Sequence, residues 1–183
     1  MIEPLRLSIE VRYPVDHAFA VWTEKTSRWW PISHIGTGEQ GLDVVFEGRP
    51  GCRIFERPPA GVEVEWGEIT LWEPPWRLGY LWRLRGDRAD ATEVENTFCD
   101  QGDATTRVDI ERRGWERLGA RGPDQRDANR SGWSGLLPHF IAACARNQID
   151  TLHTLAFNHY TDPQGKVWVS ERTVRAADLS EVP

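Results

Sequence analysis

Residues 64–82 read VEWGEITLWEPPWRLGYLW, with tryptophan at 66, 72, 76 and 82 on either side of the pair Pro74–Pro75. Apolar and polar residues alternate through both halves. Successive side chains of a β-strand point to opposite faces, so this alternation marks two strands with one buried face each. Proline presets φ and withholds a ladder donor, which makes EPP the turn of a hairpin. Strict parity then places Val64, Trp66, Glu68, Thr70 and Trp72 on one face of the first strand. The same face of the second strand carries Trp76, Leu78, Tyr80, Trp82 and Leu84, opposite Arg77, Arg83 and Arg85. All four tryptophans are expected to point inward.

The hairpin sits in a run of further strands. LRLSIEVRY (5–13) alternates strictly and ends at Pro14. A short helix over Val15–Glu24 comes next, with Asp16 favourable to the dipole of its first turn, and then a second short helical piece near Thr26 or Ser27, closed by RWWP. GLDVVFEGRPGCRIFER has two apolar runs around Gly48 and RPG, the mark of another hairpin. TEVENTF and TTRVDIERR are two more strands, joined by the turn residues DQGD. Their inward faces are Val94, Asn96 and Phe98, and Val108, Ile110 and Arg112.

From about Asp127 to Asn147 the period changes to 3.6. Trp133, Leu136, Leu137, Phe140, Ile141 and Cys144 form one apolar stripe, with Pro138 inside it predicting a kink or a late start. KVWVSER (166–172) is a candidate eighth strand. The layout is α+β: a curved antiparallel sheet of about seven strands, two short helices after the first strand, and one long C-terminal helix covering a face.

Composition limits the function. The chain has 183 residues, 39% of them hydrophobic and 27% charged, with no apolar run near the roughly 20 residues a membrane span needs. No basic, apolar and small-residue succession marks a signal peptide at the N-terminus, so a cytoplasmic location is expected. A net charge of −6 opposes binding to nucleic acid. Cys52, Cys99 and Cys144 are too scattered for a zinc or disulfide framework, and His153 and His159 are spaced onto different helix faces, so no metal site is expected. Neither a nucleophile elbow nor a glycine-rich phosphate loop is present.

Four stretches carry a family resemblance: PVDHAFAVWT (14–23), GEITLWEPPWRLGYLW (67–82), RRGWERLG (112–119) and SGWSGLLPHF (131–140). Together they resemble the START/Bet v 1-like (SRPBCC) superfamily, in its bacterial branch of activator of Hsp90 ATPase homologue 1-like proteins. The resemblance implies a helix-grip fold, with the long helix lying across the sheet and an apolar cavity between them. It spans ligand carriers, cyclases and chaperone regulators, so it does not choose among them. The expected domain is 1–147. The segment 148–183 extends past the family pattern, as an extension packed on the domain or at the interface of a homodimer.

Ten tryptophans suit either a heavily packed core or the wall of a site for a flat apolar ligand. The expected ligand-binding residues are Trp66, Glu68, Trp72, Trp76, Tyr80, Trp82, Asn96, Trp133, Leu137 and Phe140, with Trp29 and Trp30 as the lid. No cofactor is called for. Glu68 is the one catalytic candidate, because a carboxylate on an apolar face has a raised pKa and can move a proton. Gly67 qualifies that reading, since a bulge there would turn Glu68 away. The leading expectation is binding of a small hydrophobic molecule. The alternatives are a cyclase or hydratase using Glu68 with Tyr80 or Asn96, and a protein-interaction module resembling the chaperone regulators.

Overall fold

The computed structural model describes residues 2–83 and 86–146 with their side chains, and residues 147–156, 160–161 and 167–168 as backbone. The strands are β1 (Leu5–Val11), β2 (Asp43–Phe46), β3 (Arg53–Arg57), β4 (Val64–Glu73), β5 (Arg77–Trp82), β6 (Thr92–Asp100) and β7 (Thr106–Arg113). They form one antiparallel sheet in the order β1-β7-β6-β5-β4-β3-β2. Six strands are joined to their sequence neighbours, and β1 closes onto β7 with Leu7 opposite Ile110 and Ile9 opposite Val108. Helix α1 (Val15–Thr23) and two single 3₁₀ turns fill the connection from β1 to β2.

Helix α2 (Gly122–Ala156) begins earlier than its apolar stripe suggests. A 3₁₀ stretch, Trp115–Arg121, leads into it with Gly119 at φ +57°, a conformation glycine adopts without steric cost. Pro123 falls in the first helical turn, where a missing N–H costs nothing. Pro138 lies inside the helix without ending it. Its roughly 3 kcal/mol penalty is offset by burial of Trp133, Leu136, Leu137, Phe140 and Cys144 around it. Ile141, expected on the same stripe, is 40% exposed at its edge.

The core lies between α1, α2 and the inner face of the sheet, where Leu78, Val94, Phe98, Val108 and Ile110 are buried. Trp22 of α1 is its hub. Its ring meets Trp29 at 5.4 Å, Phe98 at 6.0 Å, Trp133 at 6.0 Å and Phe140 at 4.9 Å. The outer face of the sheet is a lattice of ion pairs, among them Arg6 with Glu111, Arg77 with Glu95 and Arg113 with Glu93. Arg77 and Arg83 are outward, as the alternation predicts.

Two bulges break that alternation in β4. Ile54 pairs with Gly67 and Phe55 with Glu65, so Trp66 is an extra residue against β3. Ile69 pairs with Tyr80 and Leu71 with Gly79, so Thr70 is extra against β5. Each bulge inverts the parity of the residues beyond it. Trp66 and Ile69 are fully buried, Glu68 turns to the outer face, Thr70 is exposed, and Trp72 returns to the inner side against Phe19.

The chain divides into two compact units, Met1–Cys144 and Ala145–Pro183. In the second, Tyr160–Thr161 pairs antiparallel with Val167–Trp168. The rest of the expected strand 166–172, and the side chains of the extension 148–183, lie outside the described residues.

Candidate functional site

The aromatic residues do not form one continuous plug. A cavity of about 190 Å³ opens between the inner face of the sheet and α2, within the first unit. Tyr80 and Trp82 of β5, Val94 of β6 and Arg112 of β7 form its sheet side. Asn129, Gly132, Trp133 and Leu136 of α2 form the opposite wall, and Trp30 with His34 closes one end. A Cβ at Gly132 would meet open space, with nothing within 4 Å.

Three indoles frame the cavity at ring distances typical of favourable aromatic pairs. Trp30 lies 5.8 Å from Trp82 and 6.1 Å from Trp133, and its Nε1–H donates to the His34 carbonyl at 3.2 Å. Trp29 takes a different part. It is buried, and its Nε1–H donates to the Val21 carbonyl at 3.0 Å, pinning the segment to α1. Of the expected lid pair, one ring faces the cavity and the other anchors the loop.

The floor is polar. Tyr80 and Arg112 supply its polar groups; Asn96, expected in the site, is fully buried outside the cavity lining, donates its Nδ2–H to Tyr80 Oη at 3.5 Å, and has no partner for its Oδ1 among the described residues. Burial pushes the Tyr80 phenol up to about 12, so it stays a neutral hydroxyl. Arg112 is 8% exposed. Its Nε–H donates to Thr92 Oγ1 at 2.8 Å and its Nη1–H to Asn129 Oδ1 at 2.5 Å. The guanidinium also lies 4.8 Å from the Trp115 ring and 5.9 Å from that of Trp82. Desolvation lowers its pKa to about 10, leaving a cation at neutral pH.

The remaining expected site residues fall elsewhere. Glu68 is not in the cavity: the bulge at Trp66–Gly67 turns it outward, where it pairs with Arg88. Trp76 is half exposed, because it belongs to the turn rather than to β5. Its N–H donates to the Glu73 carbonyl and its carbonyl accepts from Phe98 N–H, each at 2.8 Å. Trp72 packs on Phe19 and over Gly48, near the far end of the core. Leu137 and Phe140 lie in the core instead of the wall, Phe140 between Trp22 and Trp29. Trp66 supports the wall from behind, 5.0 Å from Trp30 and 5.4 Å from Trp82.

A buried acid emerges that the alternation of the hairpin did not single out. Glu56 of β3 is fully buried, and its Oε2 accepts from Gly36 N–H at 2.7 Å and Trp66 Nε1–H at 3.1 Å. A Cβ at position 36 would stand 2.6 Å from Glu56 Oε1, so glycine is what lets the loop approach. The signal was present in RIFER, where Ile54 and Glu56 share a parity. Glu56 orients Trp66 and does not itself line the cavity.

No carboxylate lines the cavity among the described residues. Glu68→Gln is therefore expected to leave ligand affinity within about twofold of wild type, measured by titration calorimetry. A larger depression of about 500 Å³ on the outer face, bordered by Arg6, Glu95, Asp109, Glu111 and Arg113, carries charges already engaged in ion pairs, Arg6 with Glu111, Glu95 with Arg77, Asp109 with Arg107 and Arg113 with Glu93. It lacks the apolar walls of a small-molecule site.

Known structures share this architecture. The anthrahydroquino-gamma-pyrone synthase Txn09, solved in a complex, is 34% identical, with a TM-score of 0.50 over 67% of this chain and 84% of that one. The self-sacrificing resistance protein CalC from Micromonospora echinospora is 27% identical, with a TM-score of 0.59 over 79% of this chain and 95% of that one. Protein MLL2253 from Mesorhizobium loti, 17% identical with a TM-score of 0.58 over 79% of this chain and 98% of that one, shares the fold. No curated protein matches the chain. No helix among the described residues is long and apolar enough to cross a membrane. The model of the activator of Hsp90 ATPase homolog 1-like family matches residues 12–145, from the end of β1 into the middle of α2, and the chain belongs to that family of helix-grip proteins.

Proposed function

We propose that the protein binds a small, flat, aromatic molecule between Trp82 and Trp133, under Trp30. The observation that carries this reading is an open volume walled by three indoles where a sheet and a helix could have closed on each other. Protein interiors are otherwise close-packed, and an unfilled gap of this size forfeits dispersion contacts on every side. Size narrows the ligand. About 190 Å³ exceeds the roughly 150 Å³ that accepts benzene and falls short of the roughly 300 Å³ of a drug-sized pocket. A bicyclic aromatic fits, and larger polycycles require Trp30 and its loop to move outward.

The family and its relatives support a ligand-binding or cyclase-type role, and Txn09 is named as a synthase. A reaction on a bound molecule would have to use Tyr80, Arg112 or His34, since Glu68 faces away. Binding requires none of them to transfer a proton. The test is calorimetric titration with 2-methoxynaphthalene. Trp133→Ala removes one wall, and the expected loss is roughly tenfold or more in affinity, in line with the 1–3 kcal/mol of a stacking contact. Unchanged affinity in that variant would refute the placement.

A further inference from the structure

Arg112 is a buried cation on the inner face of the sheet whose hydrogen-bond partners are neutral. A guanidinium carries five N–H groups, and two of those on Arg112 have acceptors, Thr92 Oγ1 and Asn129 Oδ1. Both acceptors are neutral. No carboxylate lies within ion-pair distance of Arg112 among the described residues, although the outer face of the same strand pairs Arg107 with Asp109 and Arg113 with Glu93. The groups facing it are the Tyr80 phenol from β5, Thr92 from β6, Asn129 from α2 and the indoles of Trp82 and Trp115; His34 lies across the cavity. A buried cation without an anion is costly, and such charges are ordinarily paired.

Alternative explanations of Arg112 fit less well. As a purely structural clamp between β7 and α2 it needs only the bonds to Thr92 and Asn129, which a neutral amide could make without the desolvation cost of a charge. Its three remaining N–H groups have no side-chain acceptor among the described residues, and Arg112 lines the cavity, where a bound oxygen could reach them. Beside it, the Tyr80 phenol lines the same cavity, its oxygen 3.5 Å from the Asn96 amide. Cation and hydroxyl thus converge on one side of an otherwise aromatic volume.

We infer that Arg112, assisted by Tyr80, is an oxyanion-binding residue, and that the ligand is an aromatic acid or phenolate whose charged oxygen lies on the guanidinium while its rings stack between Trp82 and Trp133. This rests on the ligand reading above and specifies its chemistry. A carboxylate and a phenolate offer the same charged oxygen, and they are separated by the choice of probe. The aromatic faces set the plane of the ring, and Arg112 sets which edge enters first.

Three naphthalenes test this on the full chain: 2-naphthoate, a permanent anion; 2-naphthol, an ionisable phenol; and 2-methoxynaphthalene, which is always neutral. Wild type is expected to bind 2-naphthoate at least about tenfold tighter than 2-methoxynaphthalene, the scale of one charge-assisted hydrogen bond. Bound 2-naphthol should ionise roughly 1–3 pH units lower than the free compound, read from its phenolate absorbance, since an adjacent cation favours the anion. That second readout needs no variant. In Arg112→Met the ratio of affinities should fall to about one, and in Arg112→Lys it should be partly retained because the charge survives without the fork. Tighter 2-naphthoate binding without a 2-naphthol shift assigns the carboxylate, and both effects together admit the phenolate. Binding of 2-methoxynaphthalene with no preference for either anion overturns the oxyanion assignment alone. Failure of all three probes to bind overturns the ligand reading with it.

Discussion

Trp22→Ala is expected to lower the unfolding free energy by about 3–5 kcal/mol, the range for truncating a large buried aromatic. Trp22 is 2% exposed and touches Trp29, Phe98, Trp133 and Phe140, so a single truncation strips contacts from α1, β6, α2 and the loop behind the cavity. Each such ring pair is worth about 0.5–1.5 kcal/mol beyond the area it buries. Against a domain stability of roughly 5–15 kcal/mol, the variant should remain folded at low temperature with a sharply reduced denaturant midpoint. Ligand affinity should fall as well, because Trp22 stacks against Trp133 at an interplanar angle of 17° and fixes that wall. Chemical denaturation followed by circular dichroism reads the first effect; a loss below about 1 kcal/mol would contradict the central place given to this ring.

Gly67→Ala carries the second large effect. A Cβ there would lie 1.9 Å from the Leu81 carbonyl oxygen, a backbone atom that cannot swing aside. Relief requires β4 and β5 to separate locally or the bulge at Trp66 to dissolve. The first breaks ladder bonds such as Arg83 N–H to the Trp66 carbonyl, 2.8 Å. The second shifts the register by one and exchanges Glu68 for its neighbours on the inner face. The expected cost is about 3 kcal/mol, at the upper end for a forced steric insertion. Hydrogen exchange should locate it, with protection lost first in 66–69 and 80–83. Trp66 would also part from Glu56, so its indole fluorescence should change.

The hairpin at 64–82 shows what alternation can and cannot convey. Its two strands, its turn and its place among seven antiparallel strands follow from period and proline chemistry alone. So do the inward positions of Val94, Asn96, Phe98, Val108, Ile110 and Arg112 on β6 and β7, two strands that run without a bulge. In β4 the count of residues gives no sign of which one is extra. Gly67 was a legible warning, since a glycine amid β-formers signals close backbone approach. Thr70 offered no such cue, as threonine is an ordinary strand residue. Trp76 misled for a related reason: parity was carried one residue too far into a turn.

The cavity was harder to read than the fold because volume is not a property of a sequence pattern. Trp133 faces open space while Phe140, two turns along the same stripe, fills the core, and nothing in their spacing separates them. Arg112 shared an inward parity with Val108 and Ile110, yet its importance depends on Thr92 and Asn129, 20 and 17 residues away, and on the absence of a carboxylate there among the described residues. Glu56 likewise acquires its meaning from Gly36 and Trp66. Such pairings exist only once the sheet is closed against its helices.

The claim on which the rest depends is that ligand enters among Trp30, Trp82 and Trp133. Heteronuclear NMR of the assigned indole N–H signals during titration with 2-naphthoate observes that placement residue by residue. The signals of Trp30, Trp82 and Trp133 are expected to shift together and saturably, while that of Trp76, in the exposed turn, stays in place. Saturable shifts confined to Trp76, or none at any of the three wall residues, would contradict it.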